Sequence, residues 1–352
     1  MRVLCVNDLP PGGTSGTEVH LALLVDGLRD RGHDVEVFSL PPRAGMGKLA
    51  DVWDPRSRRA LSEQAAAFRP DVLHLHNVVR ELSVSVLTAA PGTPRVLTVH
   101  DGRLLGDADG QGGALRAYQR GRARLDAAVV RRRADLVLAV SAPLADRLRA
   151  AGFSRVRETG TWAAPPSVAP QPPATSTDLL FVGRLDPDKG VEVLVRAFER
   201  VQHPTARLLL AGSGSLAPSL PQAAAVRSGR VVLLGAVDRA AVSSLMGTAR
   251  AVVAPSLPGR RPEGAPLVLA EALVHGRPVV VSDDPGSVWI AGDAGIAVPA
   301  GDVSALSRAL QNVLDDQGRV ARLAAAAQAA SVDWLPEAGL DRVLAAYDEV
   351  LR

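Results

Sequence analysis

The sequence predicts an α/β protein made of two doubly wound parallel-sheet units, and three observations carry that expectation. The chain has 352 residues, longer than one hydrophobic core usually grows, so two domains are the starting point. Hydrophobic residues make up 47% and aromatic residues only 3%, so the core must be filled by small and branched aliphatics, which suits sheets covered by helices. Short aliphatic runs then recur twice over, each pair separated by enough chain for a helix.

The first series of runs lies at 3–6, 35–40, 72–75, 96–99 and 136–140; the second lies at 179–182, 207–210, 231–234, 251–254, 279–281 and 296–298. Alternation with polar residues is largely missing from them, as in parallel strands covered on both faces. Between the series, residues 163–177 hold five prolines and almost no charge, which forbids a helix and favours a stiff, extended connector. The expected division is an N-terminal domain at 1–165, a linker at 166–176, a second domain at 177–330 and a terminal helical segment at 331–352. That last segment is amphipathic through Leu340, Val343, Leu344, Tyr347 and Val350.

Composition narrows the partners. So few rings argue against a base-stacking surface, and no nucleic-acid partner is expected. The net charge of +3 comes with 38 of 40 basic residues written as Arg, a bias that codon composition alone can produce. A single cysteine, Cys5, allows no internal disulfide and no cysteine-based zinc site, and it reads as a buried thiol in the first strand. Residues 1–6 lead straight into a polar Gly-rich turn and no run of about 18 apolar residues occurs, so neither a signal peptide nor a membrane span is expected. The expected location is the cytoplasm, with peripheral attachment at the inner face of a membrane as the second reading.

Three segments carry chemistry. After the first strand, residues 7–18 (NDLPPGGTSGTE) form a loop with Gly12, Gly13 and Gly16 ahead of a helix starting near Thr17, where bare backbone amides let a polar or anionic ligand approach. After the strand at 179–182, residues 183–190 (GRLDPDKG) place Arg184 and Lys189 at the carboxyl edge of a parallel sheet, where a guanidinium fork and an ammonium can converge on a diphosphate. Lys189 is one of only two lysines in the chain, which points to a selected role. Asp186 and Asp188 in that loop have the D-x-D spacing of a divalent-metal site, but the flanking cations make Asp188 a turn and helix-capping residue instead.

The third segment places Glu263 in a loop and Glu271 inside a helix that begins near Pro266 and ends at Gly276, with Pro278 beyond. Glu271 sits among Leu267, Val268, Leu269, Ala272 and Leu273, where an ionised carboxylate is costly unless it accepts specific hydrogen bonds. Two lesser features remain. His74 and His76 form an H-x-H pair on a strand; strand alternation is read as sending them to opposite faces, which makes joint metal ligation awkward. Between Arg103 and Arg133 lie eight Arg against three Asp, read first as a solvated helix face and second as a face for an anionic lipid surface or a phosphorylated acceptor.

The stretch PEGAPLVLAEALVHGRPVVVSD at 262–283 resembles the E-x7-E signature of retaining glycosyltransferases of the large family numbered four, and GRLDPDKG resembles that family's diphosphate loop in its correct place. The Gly-rich first loop, DVLHLHN at 71–77, LTVHD at 97–101 and ADLVLAVS at 134–141 extend the likeness over most of the chain. The resemblance implies the GT-B fold, with two Rossmann-like domains facing a cleft, and a metal-independent transfer of sugar from a nucleoside-diphosphate sugar to an acceptor hydroxyl. It implies no cofactor. Arg184 and Lys189 would hold the diphosphate, joined by backbone amides at Ala265, Pro266, Leu267 and Val268. Glu271 would bond ribose hydroxyls, Glu263 and His100 would contact the donor sugar, and Gly12, Gly13 and Gly16 would frame the sugar and acceptor side. The segment around Trp334 is similar to the family's crossing helix.

The chain departs from the family pattern at Ala265-Pro266, where Phe-Gly is usual, and at residues 159–162, where Asn-Gly is usual. Arg260 and Arg261, beside Glu263, read as a solvated rim. The identity of the nucleotide base, the acceptor and the oligomeric state stay open. Two rivals stay open as well: a GT-B sugar-nucleotide epimerase, and a sugar-nucleotide-binding subunit without turnover.

Overall fold

The structure, a computed structural model, describes residues 1–11, 15–40, 53–76, 78, 82–107, 113–222, 224–257 and 262–352. Two compact units emerge: one from 1–161, 260–265 and 336–352, the other from 162–259 and 266–335. Each is built on its own six-stranded parallel sheet, as the sequence predicts.

In the first unit the strands are β1 (Arg2–Asn7), β2 (Asp34–Phe38), β3 (Val72–His76), β4 (Arg95–Val99), β5 (Leu136–Ala139) and β6 (Val156–Glu158), in the order β2-β1-β3-β4-β5-β6. Helices α1 (Gly16–Asp30), α2 (Pro55–Phe68), α3 (Gly113–Arg133) and α4 (Ala142–Ala150) belong to the same unit. The central strands are buried along almost their whole length because helices lie on both faces of the sheet, which is why they read as unbroken aliphatic runs. Strand β6 escaped the sequence reading. It has three residues at the sheet edge and only Val156 is buried, so it leaves no aliphatic run.

In the second unit β7 (Asp178–Val182), β8 (Arg207–Ala211), β9 (Val231–Gly235), β10 (Ala251–Ala254), β11 (Val279–Ser282) and β12 (Gly295–Val298) are ordered β12-β11-β10-β7-β8-β9. Helices α5 (Val191–Phe198), α6 (Ala224–Arg227), α7 (Arg239–Thr248), α8 (Leu267–Val274), α9 (Pro285–Ala291), α10 (Val303–Asp315) and α11 (Gln317–Ala330) complete it. Helix α12 (Pro336–Leu351) groups with the first unit. There Leu340 packs into the space left by Gly27 of α1, where a Cβ would overlap it, and Arg342 donates to the Thr159 carbonyl at 2.7 Å.

The boundaries differ from the expected ones in three places, one of them the grouping of residues 260–265 with the first unit. The change of unit at the C-terminus falls between Leu335 and Pro336, so Trp334, stacked edge-on against Trp289 at 5.1 Å, stays with the second unit. The proline-rich connector is part of the second unit and is fastened to it. Arg250, fully buried, donates to the carbonyls of Val313 at 2.6 Å and Leu314 at 3.0 Å in the last turn of α10, and to Ser176 at 3.1 Å. Those helix-end carbonyls carry the negative pole of α10, which suits a guanidinium. Arg277, also buried, donates to Ala249 at 2.7 Å and to Gln171 of the connector.

Candidate functional site

The strand order fixes where a ligand fits. Counting from β7, the second sheet runs 6-5-4-1-2-3, so its order reverses between β7 and β10. Ligands of open α/β sheets bind at the carboxyl ends of the strands at such a switch point. The loop after β7 is the one that carries Arg184 and Lys189, and the segment after β10 is the one that leads through Glu263 to Glu271.

Backbone contacts lock the two segments together. The Leu257 amide donates to the Asp188 carbonyl at 2.8 Å, and Gly190, at φ 67°, is pressed on the Pro255 carbonyl so closely that a Cβ would overlap it. A third segment joins them. Gly212 and Gly214, after β8, approach the backbones of Gly183 and Leu185, and Leu185 donates to the Ser213 carbonyl at 2.8 Å. The sequence reading missed this A-G-S-G-S turn at 211–215; two glycines directly after an aliphatic strand were the signal available.

Within the loop, Arg184 holds both aspartates, Asp186 through one guanidinium nitrogen and Asp188 at 2.9 Å through the other. Asp186 also accepts from the amide and hydroxyl of Ser215, each at 2.8 Å, and these bonds, led by the backbone one, hold its carboxyl below the usual range. The D-x-D pair is therefore engaged internally. Asp188 does not act as the expected cap, because its carboxylate faces Arg184 and Gly190 takes the N-cap of α5 with no side-chain cap. Ion pairs this exposed are worth roughly 0–1 kcal/mol, so an arriving phosphate can displace them.

No side chain caps α8, which leaves the amides of its first turn turned outward at the positive pole of the helix. Leu267 and Val268 supply those amides. Pro266, expected among the donors, has no N–H to give; it occupies the cap position and accepts from Leu269 at 3.0 Å. Glu271 lies one turn further along the helix. Burial pushes its carboxyl up to about 7, with Arg239 pulling the other way.

A carboxyl raised in this way favours the protonated form in the folded state, so the native protein holds a proton there that the unfolded chain releases near pH 4.5. Stability from this group is therefore lost as pH rises from about 4.5 to about 7 and is level above that. The melting temperature of Glu271→Gln, measured against the wild type, is expected to rise through that window and then hold. A constant difference from pH 5 to 8 would contradict the burial of the carboxylate.

The first unit holds the remaining predicted residues. Its sheet order 2-1-3-4-5-6 reverses between β1 and β3, and Gly16 begins α1 beside that point; Gly12, Gly13, Arg260 and Arg261 lie outside the described residues. His100 follows β4 and is partly exposed. The segment at 260–265, which contains Glu263, groups with this unit rather than with β10, which precedes it. Gly264 explains why: a Cβ there would overlap the His100 carbonyl oxygen, and Ser141, capping α4, donates its hydroxyl to the Gly264 carbonyl at 2.6 Å. Glu263 and His100 are thus neighbours within one unit, while Arg184, Lys189 and Glu271 share the other.

The H-x-H reading is corrected. Residues two apart on a strand share a face, and the rings of His74 and His76 stack with centroids 4.2 Å apart. His20 of α1, which carries no sequence signal, joins them with His100. Among the described residues no group of three His, Cys, Asp or Glu side chains is arranged to hold a metal ion. No helix among them is long and apolar enough to cross a membrane.

Comparison with known proteins agrees with this geometry. The family description "Glycosyltransferase Family 4" matches residues 14–158, and "Glycosyl transferases group 1" matches residues 176–316. Phosphatidyl-myo-inositol mannosyltransferase of Mycolicibacterium smegmatis is 30% identical over 366 residues, covering 91% of the chain and 86% of that protein. Glycogen synthase of Mycobacterium tuberculosis is 28% identical over 95% of the chain and 92% of its own length. Among solved structures, sucrose-phosphate synthase of Thermosynechococcus elongatus superposes with a TM-score of 0.80 at 20% identity, covering 99% of both chains. Anabaena HepE in complex with UDP and glucose does so with a TM-score of 0.75 at 20% identity, over 99% of this chain and 100% of its own. With both sheets, both matched halves and a full-length relative in agreement, the chain belongs to glycosyltransferase family 4 and is a glycosyltransferase of the GT-B fold.

Proposed function

We propose that the protein moves a sugar from a nucleoside-diphosphate sugar to an acceptor hydroxyl, with retention of anomeric configuration and without a metal ion or other cofactor. The observation that carries this is the position of the two signature segments on adjacent strands at the switch point of the second sheet. There Arg184, Lys189 and the amides of Leu267 and Val268 would hold the diphosphate, and Glu271 would accept from the ribose hydroxyls. In the first unit His100 and Glu263 would contact the transferred sugar.

In this reading the bond between the anomeric carbon and the diphosphate oxygen breaks, and the acceptor oxygen bonds the same face of that carbon. The acceptor's proton passes to the departing phosphate. Arg184, Lys189 and the positive pole of α8 offset the charge that develops on the diphosphate, the task that otherwise falls to a divalent cation. Engagement of Asp186 by Ser215 and Arg184 supports the metal-free reading.

The structural relative holding UDP and glucose supports the donor class. Relatives named for phosphatidyl-myo-inositol and for D-inositol 3-phosphate support an anionic acceptor, and the exposed Arg124, Arg132 and Arg133 of α3 suit one. Tyr118, Leu125 and Arg132, exposed at seven-residue spacing along one face of α3, support peripheral contact with an anionic membrane.

The test is incubation of purified protein with UDP, GDP, ADP and TDP sugars and a pool of acceptors in excess chelator. Nucleoside diphosphate release with an α-linked product from an α-linked donor is expected. Strict dependence on added metal would return Asp186 and Asp188 to a metal role. Tight donor binding without turnover would favour the binding subunit, and donor isomerisation without transfer would favour the epimerase.

A further inference from the structure

The four imidazoles of the first unit form a connected cluster whose proton arrangement is constrained. His76 lies with its ring 4.2 Å from that of His74 and 5.4 Å from that of His100, while His20 sets an edge against His100 at 5.2 Å. His74 is satisfied at both nitrogens, Nδ1 with the Tyr347 hydroxyl at 2.6 Å and Nε2 with the Thr98 hydroxyl at 2.7 Å. His76 is satisfied at one. Its Nδ1 is 3.1 Å from Nε2 of His100, and its own Nε2 is buried with no partner among the described residues.

All four rings are neutral near pH 7, because burial pushes His74 down to about 3 and His100 to about 4, and holds His20 and His76 well below the usual imidazole range. A neutral imidazole carries one ring proton, so one nitrogen in the His76–His100 bond donates and the other accepts. A proton on Nε2 of His76 would bury an N–H with no acceptor. A proton on Nδ1 leaves only a lone pair unmatched, which costs less. His76 therefore donates from Nδ1, His100 accepts at Nε2, and the single proton of His100 is confined to its Nδ1.

We propose that His76 is a positioning residue that locks His100 in the Nδ1–H tautomer, so that His100 offers a hydrogen-bond donor at Nδ1 to the transferred sugar. The tautomer lock rests on the geometry of the cluster alone, whereas the sugar contact rests on the function proposed above. The edge of His20, whose Nδ1 lies 3.4 Å from the Thr161 hydroxyl, holds the plane of the His100 ring.

Nitrogen and carbon NMR of histidine-labelled protein separates the two tautomers by chemical shift, with His100 assigned by its loss in His100→Asn. In the wild type His100 is expected as Nδ1–H. In His76→Asp, whose carboxylate can only accept, the proton of His100 is expected to be drawn to Nε2, and kcat is expected to fall about tenfold with a smaller change in donor KM. His76→Asn, whose amide N–H sits near the lost Nδ1, is expected to restore the tautomer and most of kcat. Nε2–H at His100 in the wild type, or an Nε2 of His100 that stays unprotonated in His76→Asp, would overturn the lock. A shifted tautomer with wild-type kcat would leave the lock standing and overturn the sugar contact, and with it His100's part in the proposed function.

Discussion

Lys189→Ala and Arg184→Ala are each expected to lower kcat/KM for the donor by about 2 kcal/mol or more, roughly thirtyfold, as the loss of one charge-assisted bond to a developing anion requires. Both residues leave the carboxyl end of β7 at the switch point, and Lys189 stands where the loop turns into α5 through Gly190. If their charge acts on the departing diphosphate, the loss falls on kcat as well as on KM, because the interaction strengthens as the glycosidic bond breaks. Arg184 is an exposed guanidinium paired with Asp186 and Asp188, so its alanine variant is expected to keep wild-type stability. Steady-state kinetics with thermal melts beside them check both statements. A variant with wild-type kcat/KM would lose its place in the diphosphate site.

Gly190→Ala is expected to cost about 3 kcal/mol of stability, or to displace the loop and weaken donor binding at least about tenfold. Two independent effects combine at this position. The backbone sits at φ 67°, where a side chain is strained, and the added Cβ would overlap the carbonyl oxygen of Pro255, a backbone atom that cannot rotate away. Gly276→Ala is the informative comparison. Its φ is 65°, but the nearest atom is 3.2 Å away on the flexible Gln328 side chain, so its cost is expected to stay near the strain alone, about 1–2 kcal/mol. Melting of both variants with and without donor nucleotide measures the difference, and equal costs would show that the loop from β7 is not clamped on the segment from β10.

How far the sequence reached can be argued from particular residues. The strand runs were legible because a strand with helices on both faces must be aliphatic along its length, as β10 and β11 are. The bounds of α8 were legible because Pro266 and Gly276 mark a helix start and stop through their own backbone preferences. Arg184, Lys189, Glu263 and Glu271 were legible as candidates because each stands in a loop or helix whose place after a strand is set locally. Pro266 has no N–H to offer, so the donor role that the family resemblance implies for the amides at 265–268 does not carry over to that position.

The histidine cluster was out of reach for a different reason. His20, His76 and His100 come from a helix, the end of one strand and the loop after another, and their meeting depends on the pairing of β3 with β1 and β4. Arg250 and Arg277 look in the sequence like two more of the many surface arginines. Only the packing of α10 and the connector around them turns them into buried donors to backbone carbonyls.

The sequence by itself determined that this protein has two parallel sheets, where their strands lie, and which loops bear cations and carboxylates, because hydrophobic period, proline and glycine act on the chain within a few residues. Tertiary structure alone decided the strand orders that put the β7 and β10 loops side by side, the transfer of residues 260–265 to the first unit beside His100, and the neutral, hydrogen-bonded state of the histidines. Those outcomes depend on contacts between residues far apart in the chain, and on how much water such contacts exclude.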